Sequence, residues 1–328
     1  MSKFLSAATA VLMAGVLAAC SPKADKPAET AAPSTQKQQV SLLLDWFANP
    51  NHAAIIIAKQ KGYFDEQGLE VDIVEPTDPS MPPKLVAAQK ADIAIDYQPQ
   101  LQQQVAEGLP LVRIGTVVDS PLNSLVVLKD SGITTLADLK GKKIGYSVSG
   151  FEELLLKTML ASANLSDKDV EMVNVNWSLS PSLLSKKTDA VIGSFRNFEL
   201  NQLKIEQHEG VAFYPEEHGV PAYDELIFVA HKQHIQEEKL SRFMTAIEQA
   251  TDFIKSNPDE AWKLFVAYKP NELDNELNRM AWADTLPHLA QKPKALDKAR
   301  YETMANFMQA QGLTKSLPDV SEYTVELP

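Results

Sequence analysis

The sequence predicts an α/β protein of two doubly wound lobes, joined by a hinge of two crossover strands and followed by a helical C-terminal part. Three observations carry this expectation. From residue 40 to about residue 214, short β-branched or aliphatic runs alternate with segments whose apolar residues recur at helical spacing, the pattern of βα units with mainly parallel strands. After residue 231 the pattern becomes helix upon helix. The body holds about 290 residues, too many for one typical hydrophobic core.

The chain opens on Met1-Ser2-Lys3, a short positive start, and continues as an apolar run closed by Leu17-Ala18-Ala19-Cys20. That order is a secretory signal over residues 1–19, and its apolar stretch is shorter than the roughly 20 residues a membrane-spanning helix needs. Leu-Ala-Ala-Cys resembles the bacterial lipobox, which implies that Cys20 becomes the lipidated first residue of the mature chain. Acyl chains such as palmitate, each worth ~0.8 kcal/mol per buried methylene, would then hold the protein on the periplasmic side of a bacterial membrane. Ser21 is compatible with the inner leaflet of an outer membrane. An ordinary cleaved signal is the competing reading, although Cys20 is the only cysteine and no disulfide framework is possible. Residues 20–38 carry no large apolar side chain and are rich in Pro, Ala, Ser, Thr and Lys, the composition of a flexible tether.

Removing residues 1–19 takes away one lysine and no acid, which leaves 30 basic against 43 acidic residues, a formal charge of −13. Such a balance disfavours a nucleic-acid partner.

Strands are expected at 40–45, 69–74, 92–95, 111–117, 142–147, 170–175 and 189–194, with helical patterns at 52–67, 83–90, 98–107, 151–163 and 195–206 between them. Helices are expected at 237–256, 259–267, 273–285 and 296–309, punctuated by Asn257-Pro258 and Lys292-Pro293. Two further strand-like segments, Asn123–Leu128 and Glu225–His231, read as crossovers between lobes. Lobe 1 would then comprise residues 39–125 and 225–328, and lobe 2 residues 126–224. In open α/β sheets ligands bind beyond the carboxyl ends of the strands, so the loops there should hold the site.

Those loops share one vocabulary of aromatic, amide and carboxylate groups. They are Asp45-Trp46-Phe47 with Asn49, Asn51 and His52; Asp96-Tyr97-Gln98; Ser149-Gly150-Phe151-Glu152-Glu153; Ser194-Phe195-Arg196-Asn197-Phe198-Glu199; and Tyr223-Asp224-Glu225. Flat rings with amides and acidic acceptors suit a planar, nitrogen-rich heterocycle bearing donor groups, whereas an anionic ligand calls for more Arg and Lys. Each residue also has a structural reading. Trp46 and Phe47 serve equally as core aromatics; Asn49 and Asn51 serve equally as caps of the helix near His52. His52 at a helix start reads as structural, Glu152 and Glu153 suit a first helical turn without any ligand, and Glu199 and Glu225 also fit solvated strand edges. No phosphate loop, dinucleotide fingerprint, nucleophile elbow or His-Glu-x-x-His occurs, and His208, His218, His231, His234 and His288 lack metal-ligand spacing. No catalytic residue, metal or cofactor is expected.

The segment LLLDWFANPNHAAIIIAKQKGYFDEQGLEVDIVEPTDPS, with KLVAAQKADIAIDYQPQ, LKGKKIGY, DAVIGSFRNFE and GVPAYDELIFVAHK, resembles the thiamine-pyrimidine family over residues 40 to 256. That family combines bacterial solute-binding proteins with fungal-type thiamine pyrimidine synthases. The resemblance implies a type II periplasmic-binding-protein fold that closes on a hydroxymethylpyrimidine or formylaminopyrimidine and delivers it, as a monomer, to the permease and ATPase of an ABC importer. By motif it places ring contacts on Trp46, Tyr97 and Glu225 and further polar contacts on Asn197, Glu199 and Asp224, with Asn49, His52, Gly150, Phe151 and Tyr223 around them. Synthase chemistry in that family uses a lysine, a sacrificial histidine and a cysteine run. Here the corresponding places read Asp96-Tyr97-Gln98-Pro99-Gln100 and Val220-Pro221-Ala222-Tyr223-Asp224-Glu225, so the resemblance implies binding without chemistry. The family's phosphate loop corresponds to Ser147-Val148-Ser149-Gly150-Phe151, which leaves a phosphorylated ligand as a secondary option. Sulfonate binders of the wider superfamily share the fold but usually lack Asp-Trp-Phe followed by Asn-Pro-Asn-His.

Overall fold

The computed structural model describes residues 37–328; the expected signal peptide, Cys20 and nearly all of the expected tether lie outside the described residues. Ten strands occur among the described residues: β1 (Gln38–Leu43), β2 (Leu69–Val74), β3 (Ile93–Asp96), β4 (Leu111–Val118), β5 (Asn123–Leu128), β6 (Lys143–Tyr146), β7 (Glu171–Asn174), β8 (Ala190–Phe195), β9 (Gly210–Phe213) and β10 (Leu226–His231). They form two five-stranded sheets, ordered β2-β1-β3-β10-β4 and β7-β6-β8-β5-β9. Each sheet is the core of one lobe.

The sheets repeat one plan. In the first, β1 pairs in parallel with β2 and β3, while β10 runs antiparallel to both β3 and β4. In the second, β6 pairs in parallel with β7 and β8, and β5 runs antiparallel to β8 and β9. The expected parallel character therefore holds for the first three strands of each sheet, and the strands entering from the other lobe bring the antiparallel pairs. Asn123–Leu128 and the end of Glu225–His231 are consequently full sheet members rather than crossovers. The crossing backbone is the strand-free stretch before each, 119–122 and 214–225. Inward runs such as Val40-Leu42-Leu44 and Ile93-Ile95 are buried because helices cover both faces of such sheets.

The helix Ala53–Gln60 buries Ala53 through Ala58 in succession, so it is apolar all round and is enclosed between the first sheet and the C-terminal helices. Its outer neighbour, Glu238–Ser256, is instead amphipathic and lays Leu240, Phe243, Met244, Ile247 and Ile254 inward. Arg113, fully buried on β4, donates to the carbonyls of Lys294 (3.2 Å) and Ala295 (2.5 Å) and to Thr116 Oγ1 (2.8 Å), which fastens the C-terminal segment to the sheet. Among the described residues no helix is long and apolar enough to cross a membrane.

The crossovers are stapled to each other. Glu225 Oε2 accepts the backbone N–H groups of Leu122 (2.6 Å) and Asn123 (2.8 Å), so the end of the second crossover grips the end of the first. Arg196 adds a second clasp, donating to the carbonyls of Leu122 and Asn123 and bidentately to Glu216 while it covers the ring of Tyr214 at 4.0 Å. Both clasps sit where the chain crosses between the lobes.

Candidate ligand-binding cleft

In a sheet of order 2-1-3 the strand order reverses between the first and third strands, and the connections there leave in opposite directions and open a crevice. The two sheets turn those crevices toward each other. Asp45, Trp46, Asn49 and Asn51 follow β1 and Tyr97 follows β3; Val148 and Glu152 follow β6; Gly193, Phe195, Phe198 and Glu199 belong to the end of β8 and its loop. With Leu179 they line a cleft between the two lobes, the place where a ligand of such a fold is expected.

Asp45 is held in it through both carboxylate oxygens. Its Oδ1 lies 2.9 Å from His52 Nε2 and its Oδ2 accepts the Tyr97 hydroxyl at 3.0 Å. The Asn49 backbone N–H reaches His52 Nδ1 at 3.2 Å, and since an amide can only donate, Nδ1 accepts and the ring proton resides on Nε2. The His52–Asp45 contact is thus a hydrogen bond from a neutral imidazole that fixes the carboxylate's orientation. The sequence places His52 there through an Asn-Pro-Asn-His turn: the Asn49 side chain accepts from Asn51 N at 2.9 Å, and Pro50 begins the turn with a preset φ.

Two more carboxyl groups come from the second lobe. Glu152 accepts Ser147 N at 2.6 Å and Glu199 accepts Phe195 N at 2.7 Å. Burial outweighs these bonds, pushing Glu152 up to about 8, with the neighbouring Glu199 and Glu225 charges adding to the rise, and pushing Glu199 up to about 7. Gly193 makes room for Glu152. It sits at φ +97° at a register shift between β5 and β8, and a Cβ there would lie 2.2 Å from Glu152 Oε1. No Lys, Arg or His lines the cleft among the described residues. The arginines nearby are engaged elsewhere, Arg196 with Glu216 and Arg300 with Asp224.

Of the residues expected from the sequence to surround the ligand, Trp46, Asn49, Tyr97 and Glu199 line the cleft together with Asp45, Asn51, Glu152, Phe195 and Phe198 of the same loops, and His52, Gly150, Phe151, Asn197, Tyr223, Asp224 and Glu225 stand behind or beside it. His52 backs Asp45. Phe151 stacks on Tyr97 across the lobes with ring centroids 4.5 Å apart and planes 9° from parallel, and Tyr223 meets Phe151 edge-on. Asn197 donates to Asn51 Oδ1 (2.7 Å) and Thr285 Oγ1 (2.8 Å), joining the second lobe to both the β1 loop and the C-terminal helix Glu276–Thr285. Asp224 turns away to Arg300, Thr116 and Tyr301, Glu225 holds the crossovers, and Gly150 borders a separate groove with Gln103 and Leu313. Glu225, buried with one oxygen unpartnered, is pushed up to about 7 by desolvation.

Asp45 and Glu152 are the groups that sequence reasoning left without a role. Asp45 carried a signal, a carboxylate closing an apolar strand run, where burial demands a partner. Glu152 did not, because it and Glu153 look alike in a first helical turn; Glu153 caps Gly150 N at 2.7 Å while Glu152 points inward.

The two facing lobes define a protein of the periplasmic-binding-protein fold. A solved neighbour is the alkanesulfonate-binding protein of Xanthomonas axonopodis pv. citri, with a TM-score of 0.69 at 17% identity over 88% of this chain and 99% of that one. The chain itself belongs to the NMT1/THI5-like family, whose pattern matches residues 49–261. It is 62% identical over 295 residues to a Haemophilus influenzae protein whose name places it in thiamine biosynthesis, covering 90% of this chain and 94% of that one. It is also 36% identical over 234 residues to the formylaminopyrimidine-binding protein of Halalkalibacterium halodurans, covering 71% of each. Other relatives in the family are named as pyrimidine phosphate synthases.

Proposed function

We propose that this chain is an extracytoplasmic solute-binding lipoprotein, anchored through Cys20, that captures an aminopyrimidine of the thiamine-precursor type and hands it to an ABC importer without chemistry of its own. The observation that carries this is the cleft's composition: three carboxyl groups, two amides and four aromatic rings with no cation. Such a wall accepts hydrogen bonds from ring amines and stacks on their faces, and it offers no cation to a sulfonate or a phosphate. The likeness to a formylaminopyrimidine-binding protein supports the same ligand class. The lobe built on β1–β4 and β10 and the lobe built on β5–β9 each supply part of the wall, so binding and closure are coupled. The stretch Asp96-Tyr97-Gln98-Pro99-Gln100, where the resemblance puts the synthases' lysine and histidine, holds neither residue, which supports binding over synthase chemistry.

Calorimetric titration of residues 38–328 with hydroxymethylpyrimidine, its formylamino precursor, taurine and pyridoxal phosphate tests the reading. Tight binding confined to one or both pyrimidines is expected. Binding of taurine or pyridoxal phosphate with no response to either pyrimidine would overturn it.

A further inference from the structure

Beside the cleft lies a second chamber, which shares Trp46, Asn49, Leu179, Phe198 and Glu199 with the first. Its mouth is aromatic and drawn from both lobes. Phe47, 48% exposed, follows β1, and Trp177 follows β7; their ring centroids are 4.6 Å apart, and Trp46 meets Trp177 edge-on, also at 4.6 Å. An exposed phenylalanine beside a half-buried tryptophan is unneeded for the core and marks a surface that meets something else. Deeper in the same wall the hydroxyl of Ser180, 2% exposed, has no hydrogen-bond partner among the described residues. Among the described residues Glu199 is the only ionisable group lining the chamber.

We infer that this outer chamber is a second subsite, which takes a flat cationic ring joined to the heterocycle held in the inner cleft. Indole and phenyl faces attract a cation within about 6 Å, and the Glu199 carboxylate at the shared wall adds to that attraction. A compact pyrimidine fills only the inner cleft, so the subsite distinguishes an elongated ligand from a short one. The inference rests on the proposed function, and the two fail differently.

Thiamine is the probe, because one methylene joins its pyrimidine to a cationic thiazolium ring. By calorimetry the unaltered protein is expected to bind thiamine about tenfold more tightly than hydroxymethylpyrimidine. Trp177→Ala and Phe47→Leu, both at the mouth, are expected to remove that preference while hydroxymethylpyrimidine affinity stays within about twofold, and Trp177→Phe is expected to retain most of it. Thiamine binding no tighter than hydroxymethylpyrimidine, or equal losses for both ligands in Trp177→Ala, would overturn the subsite and leave the proposed function standing. Failure of thiamine, hydroxymethylpyrimidine and its formylamino precursor alike to bind would remove the proposed function and the subsite with it.

Discussion

Asp45→Asn is expected to weaken binding of an amine-bearing pyrimidine by about 10- to 100-fold, because a hydrogen bond to a charged acceptor is worth roughly 1.5–3 kcal/mol. The substitution is close to isosteric and the local network can absorb it. His52 must keep its proton on Nε2 while Asn49 N–H occupies Nδ1, so the new amide oxygen faces His52 and the new amino group faces the Tyr97 hydroxyl, which then accepts. Thermal stability should therefore change little while affinity falls. His52→Ala is expected to weaken binding less, since it removes the group that orients the carboxylate and spares the carboxylate itself. Calorimetry with a melting curve on each variant checks this. Unchanged affinity in Asp45→Asn would show that the ligand's donors go elsewhere.

Gly193→Ala is expected to cost about 2–3 kcal/mol of stability, a fall in melting midpoint of about 5–10 °C, together with most of the affinity. An L side chain at φ +97° is strained in itself, and the added methyl would collide with Glu152 Oε1 at 2.2 Å. Glu152 cannot withdraw freely, because its other oxygen is held by Ser147 N at 2.6 Å; the carboxyl would have to swing into the cleft. Combining Gly193→Ala with Glu152→Ala relieves the collision but not the backbone strain, so the double variant should regain part of the stability and none of the affinity. A neutral Gly193→Ala would mean that neither the register shift nor the approach of Glu152 matters.

Much of this architecture is legible in the chain. Leu69–Val74 stands where its alternation puts it, and the boundaries of the long helices fall within a few residues because Asn257-Pro258 and similar breaks punctuate them. Two elements are not legible. β9, Gly210–Phe213, is only four residues long, and the helix Leu179–Leu184 contains Ser-Pro-Ser, which reads as a loop until it packs on β8. The helix expected from Phe195 begins at Glu199, because Phe195 completes β8 and pairs with Asn123.

The site divides in the same way. Strand periodicity and the switch-point rule locate the loops, so Trp46, Tyr97 and Glu199 can be found without coordinates. The direction in which each side chain turns depends on contacts distant in sequence. Glu225 looks like Glu199 in the chain, yet backbone amides about a hundred residues away hold it at the crossover. Asp224 is drawn off by Arg300 from a helix that no local pattern connects to it. Trp177 lies in a polar loop with no periodic signal, and only the approach of the second lobe brings it onto Phe47.

The most direct test of the central claim is a crystal structure of residues 38–328 with hydroxymethylpyrimidine bound. The ring is predicted to lie in the inner cleft against Trp46, with its exocyclic amine donating to Asp45 or Glu199 and with the cleft closed by residues of both lobes. A ring bound outside this cleft, or an amine facing no carboxylate, would contradict the account.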